Sequence, residues 1–300
     1  MMSLVQSYLA LRRAAGFELE NAEYLLRSFA RWAAQRGETH LRTASVIAWA
    51  SQTASLAQRD ARLKALCLFA RYLRAEDPQH ELPPANHFGY RKRRRVPHLY
   101  SALEIQRLLK ATSQLGPAGS WEPHSYRTLI GLLAATGMRI SEALALRFSD
   151  VTPQGLLIHK TKFQKTRLVP LHETAASAVD RYLIRRREQA GGEQVFITED
   201  GQPLRYWDVY STFQKLAKAT KIWGSHGHRP RVHELRHTFA VRALETGPKD
   251  RQQVGRHLLA LATYLGHVNI DTTYWYLEAT PKLLRDVARA AEAFIWGGHL

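Results

Sequence analysis

His233-Glu234-Leu235-Arg236-His237, followed downstream by Leu265-Gly266-His267 and then by Tyr276, supports two incompatible chemistries. As H-E-x-x-H on a helix, His233 and His237 lie one turn apart on one face and suit zinc, with Glu234 as general base. As H-x-L-R-H, His233 and Arg236 instead grip a phosphate, because a guanidinium is a permanently charged fork matched to two oxygens. The first reading makes a metallopeptidase and the second an enzyme of nucleic acid, so the rest of the chain has to decide between them.

Charge leans towards the second. The chain of 300 residues carries 43 Lys+Arg against 26 Asp+Glu, a formal net charge of +17. Such an excess draws polyanions, and nucleic acid is the commonest polyanionic partner of a protein without membrane segments. A hydrophobic content of 45% with 23% charged residues is ordinary for a folded protein, and the length suits two domains, each with its own core. The single cysteine, Cys67, excludes an intramolecular disulfide framework and most Cys-based zinc sites. It falls in an apolar helical pattern and is expected to be a buried thiol. Residues 1–16 lack a signal-peptide core, and no run approaches the roughly 18 apolar residues of a membrane span, so a cytoplasmic location is expected.

Residues 1–85 read as a helical domain of about four helices. Apolar residues recur at three and four, as in Tyr24, Leu25, Phe29 and Trp32 and again in Leu63, Leu66, Phe69, Ala70 and Leu73. Gly16, Gly37, Thr43 and Ser55 stand where helix ends and caps belong. Residues 86–100 form a linker in which periodicity stops and Arg91, Lys92, Arg93, Arg94 and Arg95 meet no acidic residue. Such a run cannot enter a core but can lie along a phosphate backbone while joining two domains. A solvated charge run is the plain alternative.

Residues 101–300 begin with a capping box, Ser101 followed by Glu104. Helices are expected over about 123–135, 173–189, 206–220, from about 233, over 250–264 and over 281–294, with a short strand at Val195-Phe196-Ile197. Gly137 allows a turn from which Arg139 projects as the next helix starts; the plain alternative is an Arg139–Glu142 surface pair. Gly155 to Leu171 changes period: two apolar runs flank a Lys-rich turn, a β-hairpin with Lys162 and Lys165 at its tip and Arg167 at its shoulder. The fold expected is mainly α (α+β), a helical amino-terminal domain followed by a mixed α/β domain with a small β-hairpin or sheet.

Taken together, Ala135-Thr136-Gly137-Met138-Arg139-Ile140-Ser141-Glu142-Ala143-Leu144, the hairpin from Lys162 to Leu171, His233-x-Leu235-Arg236-His237, Leu265-Gly266-His267 and Thr272-Thr273-x-x-Tyr276 resemble the tyrosine recombinase (phage integrase) family. They stand in the family's order, and the resemblance covers about residues 101–297. The helical amino-terminal part looks like the family's core-binding domain. The stretch Thr246 to Thr263 departs from the pattern by being longer than the family's usual connection.

The resemblance implies a site-specific DNA recombinase or integrase that cuts and rejoins DNA through a 3′-phosphotyrosyl link. Arg139 and Arg236 would clamp the scissile phosphate, with His233 and His267 completing the shell. Lys162 would be the general acid and Tyr276 the nucleophile. A cluster of guanidiniums supplies preorganised donors where charge develops and should favour loss of the tyrosyl proton, so neither metal nor cofactor is required. Arg91 to Arg95, Lys165 and Arg167 are expected DNA contacts. The partners implied are double-stranded DNA and a homotetramer or a heterotetramer with sister recombinases. A non-catalytic accessory subunit and a type IB topoisomerase are the alternatives. The zinc reading lacks Gly and His at positions 240 and 243, both Ala, and leaves the basic linker, Arg139 and Tyr276 unexplained.

Overall fold

The computed structural model describes residues 1–91, 96–159, 166–189, 191–224, 227–247, 251–266 and Tyr276. The chain divides into two compact units, Met1–Arg94 and Arg95–Leu300. Lys92 to Arg95, Lys162, Lys165, His226, His267 and the expected helix over 281–294 lie outside the described residues.

The first unit consists of α1 (Met2–Ala14), α2 (Glu20–Ala34), α3 (Thr43–Ser51) and α4 (Leu56–Glu76). The breaks fall where Gly16, Gly37 and Ser55 placed them. The Ser55 hydroxyl caps α4 by accepting from the Gln58 amide. Val5 and Leu9 of α1, Leu26 and Phe29 of α2, Val46 of α3 and Leu63, Leu66 and Phe69 of α4 form one buried core. Phe29 meets the Trp49 ring edge-on, with centroids 5.5 Å apart. Cys67 is buried, and its thiol donates to the Pro83 carbonyl.

In the second unit, α5 (Ala102–Ala111) opens on the expected capping box: the Glu104 amide donates to the Ser101 hydroxyl, and the Ser101 amide to the Glu104 carboxylate. Next come α6 (Glu122–Thr136) and α7 (Ile140–Ala145), then an antiparallel sheet in the order β1-β2-β3. Its strands are β1 (Val151–Thr152), β2 (Gly155–Ile158) and β3 (Arg167–Val169), with Ile158 opposite Arg167. After it come α8 (Glu173–Arg187), α9 (Tyr206–Ala219), α10 (Glu234–Glu245) and α11 (Arg251–Leu265). The architecture is mainly helical with one small sheet, as expected. Val195-Phe196-Ile197 is buried but makes only a bridge, Ile197 to Pro203, instead of a strand. Pro203 has no N–H with which to carry a ladder further.

The helix α6 packs against both α8 and α10, so the end of α6 lies beside the start of α10. Gly137 ends α6 in the left-handed conformation, φ 60°. A Cβ there would lie 2.5 Å from the Phe239 ring of α10, so only glycine permits both the turn and this approach. Ala240 and Val241 of α10, Leu261 and Leu265 of α11 and Tyr276 form a smaller buried cluster of their own. No helix among the described residues is long and apolar enough to cross a membrane.

Candidate active site

Two arginines far apart in the second unit's sequence, Arg139 and Arg236, converge on one turn. Arg236, on the first turn of α10, is only 3% exposed. Its guanidinium donates to the Gly137 carbonyl at 2.8 Å and to the Leu265 carbonyl at 2.7 Å. Arg139, at the start of α7, donates to the Gly266 carbonyl at 3.0 Å and, at the long end of the range, to Leu265 at 3.5 Å. The last carbonyls of α11 lack helical partners, and guanidiniums satisfy them here. Two like charges are thereby held side by side in low dielectric. Burial first, and the neighbouring Arg139 second, bring the Arg236 pKa down to about 10, which still leaves it charged at neutral pH.

The Arg139–Glu142 pair expected as the plain alternative is present, at 2.8 Å, but it is one arm of a larger arrangement. The Glu142 carboxylate also receives both arms of Arg167, at 3.0 and 2.7 Å, while Arg167 Nε donates to the Tyr264 carbonyl at 2.9 Å. Burial raises the Glu142 pKa, but the bonds from Arg167 and the Arg139 amide outweigh it and hold this carboxyl below the usual range. Arg167, expected among the DNA contacts, is engaged within the protein in this structure. Its side chain is 11% exposed, and its guanidinium is spent inside the protein. Arg91 is exposed.

Tyr276 is 2% exposed, lies near Arg236, and is set against His237 with ring centroids 5.4 Å apart. The expected lowering of its pKa is not found. Burial raises it, and the opposing influence of Arg236 and Arg139 is smaller. The phenol is thus neutral at rest and must lose its proton as it reacts. His233 precedes α10, keeps an edge open to solvent, and meets the His237 ring edge-on at 5.0 Å. Desolvation by the surrounding protein, then the charges of Arg236, Arg231 and Arg139, press its pKa down, so the imidazole is neutral at pH 7.

Glu234, the general base of the zinc reading, is fully buried and accepts from the Arg231 amide at 2.8 Å and from Arg231 Nε at 3.1 Å. Its carboxylate is committed to starting α10. Thr238, one turn on, donates to the Glu234 carbonyl and accepts from the Tyr100 amide, fixing the helix at a second point. Among the described residues, the group able to offer three metal ligands is His40, Asp77 and His80 in the first unit. There His80 Nδ1 accepts from the Leu41 amide, so the neutral ring carries its proton on Nε2, the atom facing Asp77. That suits a hydrogen-bonded strap, not a metal ligand.

Sequence reasoning missed three arrangements: the anchoring of the two guanidiniums on the Leu265 and Gly266 carbonyls, the pairing of Arg231 with Glu234, and the pairing of Arg167 with Glu142. The spacing Arg231-x-x-Glu234 was a usable signal; the other two join residues too distant in sequence for any local pattern.

Residues 100–282 match the Phage integrase family. The chain belongs to this family of tyrosine recombinases. A Sinorhizobium fredii protein described as an integrase/recombinase, y4rB, is 36% identical to this recombinase over 301 residues, covering 96% of each chain. Tyrosine recombinase XerD of Halalkalibacterium halodurans is 32% identical over 202 residues, 65% of this chain and 61% of that protein. A lambda integrase dimer bound to a COC′ core site superposes with a TM-score of 0.64 at 18% identity, covering 94% of this chain and 96% of that one, which shows a shared fold. Membership makes the protein a site-specific recombinase and removes the peptidase reading, in agreement with the engaged Glu234.

Proposed function

We propose that this recombinase cleaves and rejoins double-stranded DNA with Tyr276 as nucleophile, and that it serves the integration, excision or transposition of a mobile element. The observation that carries the proposal is the pair of guanidiniums, Arg139 and Arg236, anchored on one turn with the Tyr276 phenol buried beside the second. As the bond from Tyr276 Oη to phosphorus forms, the phenolic proton passes to water and the bond from phosphorus to the 5′-oxygen breaks. Lys162 supplies the proton that this oxygen takes. Negative charge gathers on the non-bridging oxygens, where Arg139, Arg236, neutral His233 and His267 act as donors that need no reorganisation. One phosphodiester becomes another ester of similar energy, so the step is reversible without ATP.

Arg91 to Arg95, in a linker over residues 86–100 that joins a helical core-binding domain, residues 1–85, to a catalytic domain, residues 101–300, are proposed to follow the DNA backbone, as is Lys165 of the hairpin. The lambda integrase and other recombinases of like fold were solved on DNA, including a lambda integrase tetramer on a Holliday junction. A homotetramer or a heterotetramer on paired sites, working in the cytoplasm, is the assembly proposed here. The test is a suicide substrate that traps the covalent adduct. Tyr276→Phe should bind DNA and form none, with Tyr274→Phe as the matched control, and undiminished adducts from Tyr276→Phe would overturn the assignment. Adducts that appear only after a sister recombinase is added would make the chain a partner-dependent subunit.

A further inference from the structure

Arg167 is the best-engaged cation near the site, and the mechanism above does not use it. It stands at the first residue of β3, the strand that leaves the Lys-rich hairpin, and reaches two other elements at once. Both guanidinium arms lie on Glu142 of α7, and Nε lies on the carbonyl of Tyr264 in the last turn of α11. Its guanidinium also lies flat against the next turn: a Cβ on Gly266 would be 2.7 Å from Arg167 Nη1 and 3.0 Å from Cζ. Gly266 and Leu265 are the residues whose carbonyls hold Arg139 and Arg236.

Charge gives this contact its consequence. Glu142 is nearly buried, at 9% side-chain exposure, and carries one negative charge beside Arg139. Left with Arg139 alone, that carboxylate forms a two-armed pair with it and cancels the charge a phosphate has to meet. Arg167 occupies both carboxylate oxygens, so Arg139 keeps only one arm on Glu142 and turns the other towards Gly266. With three arginines and one glutamate the cluster keeps a net +2; without Arg167 it keeps +1.

We infer that Arg167 is a positioning residue for strand cleavage: by gripping Glu142 and the Tyr264 carbonyl, it keeps Glu142 from neutralising Arg139 and steadies the Leu265–Gly266 turn on which both phosphate-facing guanidiniums are anchored. Through β3 it also ties the small sheet to that turn. The inference rests on the reading of Arg139 and Arg236 as the phosphate clamp. A lysine at 167 restores the charge but not the fork, since an ammonium is a point donor.

The experiment uses the full chain, compares Arg167→Ala and Arg167→Lys with the wild type, and reads single-turnover cleavage of a suicide substrate separately from DNA affinity across a salt series. The expected result is cleavage slowed about 10²-fold in Arg167→Ala, the scale of an ångström-level misplacement, and partly recovered in Arg167→Lys. Affinity and its salt slope should stay at the wild-type values. A substrate with a neutral methylphosphonate at the scissile position should bring Arg167→Ala close to the wild-type rate, because the charge that the clamp has to meet is gone. Affinity lost together with a salt slope smaller by about one would make Arg167 a direct phosphate contact and overturn the proposal. An equal deficit on both substrates would mark general damage to the fold and overturn it as well. If Tyr276→Phe abolishes adducts while Arg167→Ala cleaves at the wild-type rate, the positioning role fails and the active-site reading stands. If Tyr276→Phe still forms adducts, that reading fails first.

Discussion

In the amino-terminal unit the fully buried side chains include Leu26, Phe29, Leu63, Leu66 and Phe69, and the buried charged group, Asp60, holds an exposed Lys64 at 2.7 Å. Around the site of the second unit the buried groups include Arg236, Glu234, Thr238 and Tyr276, with Glu142 and Arg167 nearly so. The first unit is held by area removed from water, which tolerates shape-conserving change. The site is held by charges removed from water, each of which has to find its partner in one geometry, because a buried unpaired charge costs several kcal/mol. Substitutions should therefore act mainly on stability in one region and mainly on rate in the other.

The largest stability effect is expected in the first unit. Phe29→Ala removes a fully buried ring packed on Trp49 and should cost about 3–5 kcal/mol, measured by urea unfolding of the full chain. A loss under about 1 kcal/mol would mean that this unit does not rest on its apolar core. Gly137→Ala should cost less, about 1–3 kcal/mol, through the positive φ and the displaced Phe239. Its cleavage rate should fall further than its folded fraction, since the Gly137 carbonyl holds Arg236. A rate that merely tracked the folded fraction would erase the contrast between the two regions.

The smallest effect concerns pH. His233 is pressed below its ordinary value, so the unfolded chain binds its proton more readily than the folded one. The stability it contributes is complete above about pH 6.5 and declines as pH falls through the window between that value and the lowered folded one. Arg236, Arg231 and Arg139 oppose its protonation, and Glu234 favours it. His233→Gln should flatten part of the acid limb of the stability curve, while His80 and His124, also lowered by burial, retain theirs. An acid limb unchanged in His233→Gln would show that the imidazole is not held neutral by the fold.

Much of this was legible in the order of residues. The four amino-terminal helices followed from apolar spacing and from Gly16, Gly37 and Ser55; the Ser101–Glu104 box and the α6 stop at Gly137 followed from local chemistry that needs no tertiary context. The motifs around Arg139, His233-x-x-Arg236 and Tyr276 pointed to one chemistry before any coordinates did. The bonds of Arg167 to Glu142 and Tyr264 were not legible, because exposed hairpin arginines and buried ones look alike along a chain.

By itself, then, the sequence determined helix periods, caps, the break in pattern at the basic linker and the set of chemical groups available, since these depend on neighbours within a turn or two. Only the tertiary structure decided how those groups are spent. Glu142 and Arg167, 25 residues apart, meet as a two-armed pair. Arg139 reaches Gly266 across 127 residues, Arg236 reaches Gly137 across 99, and burial raises the Tyr276 phenol despite two nearby arginines. The physical reason is that a charge's partner and its distance from water are properties of three-dimensional proximity. The pair formed by Glu234 and Arg231 is local by contrast, three residues apart, but the full burial of that carboxylate, which takes it from the zinc chemistry suggested by His233-Glu234-Leu235-Arg236-His237, is again the work of the tertiary fold.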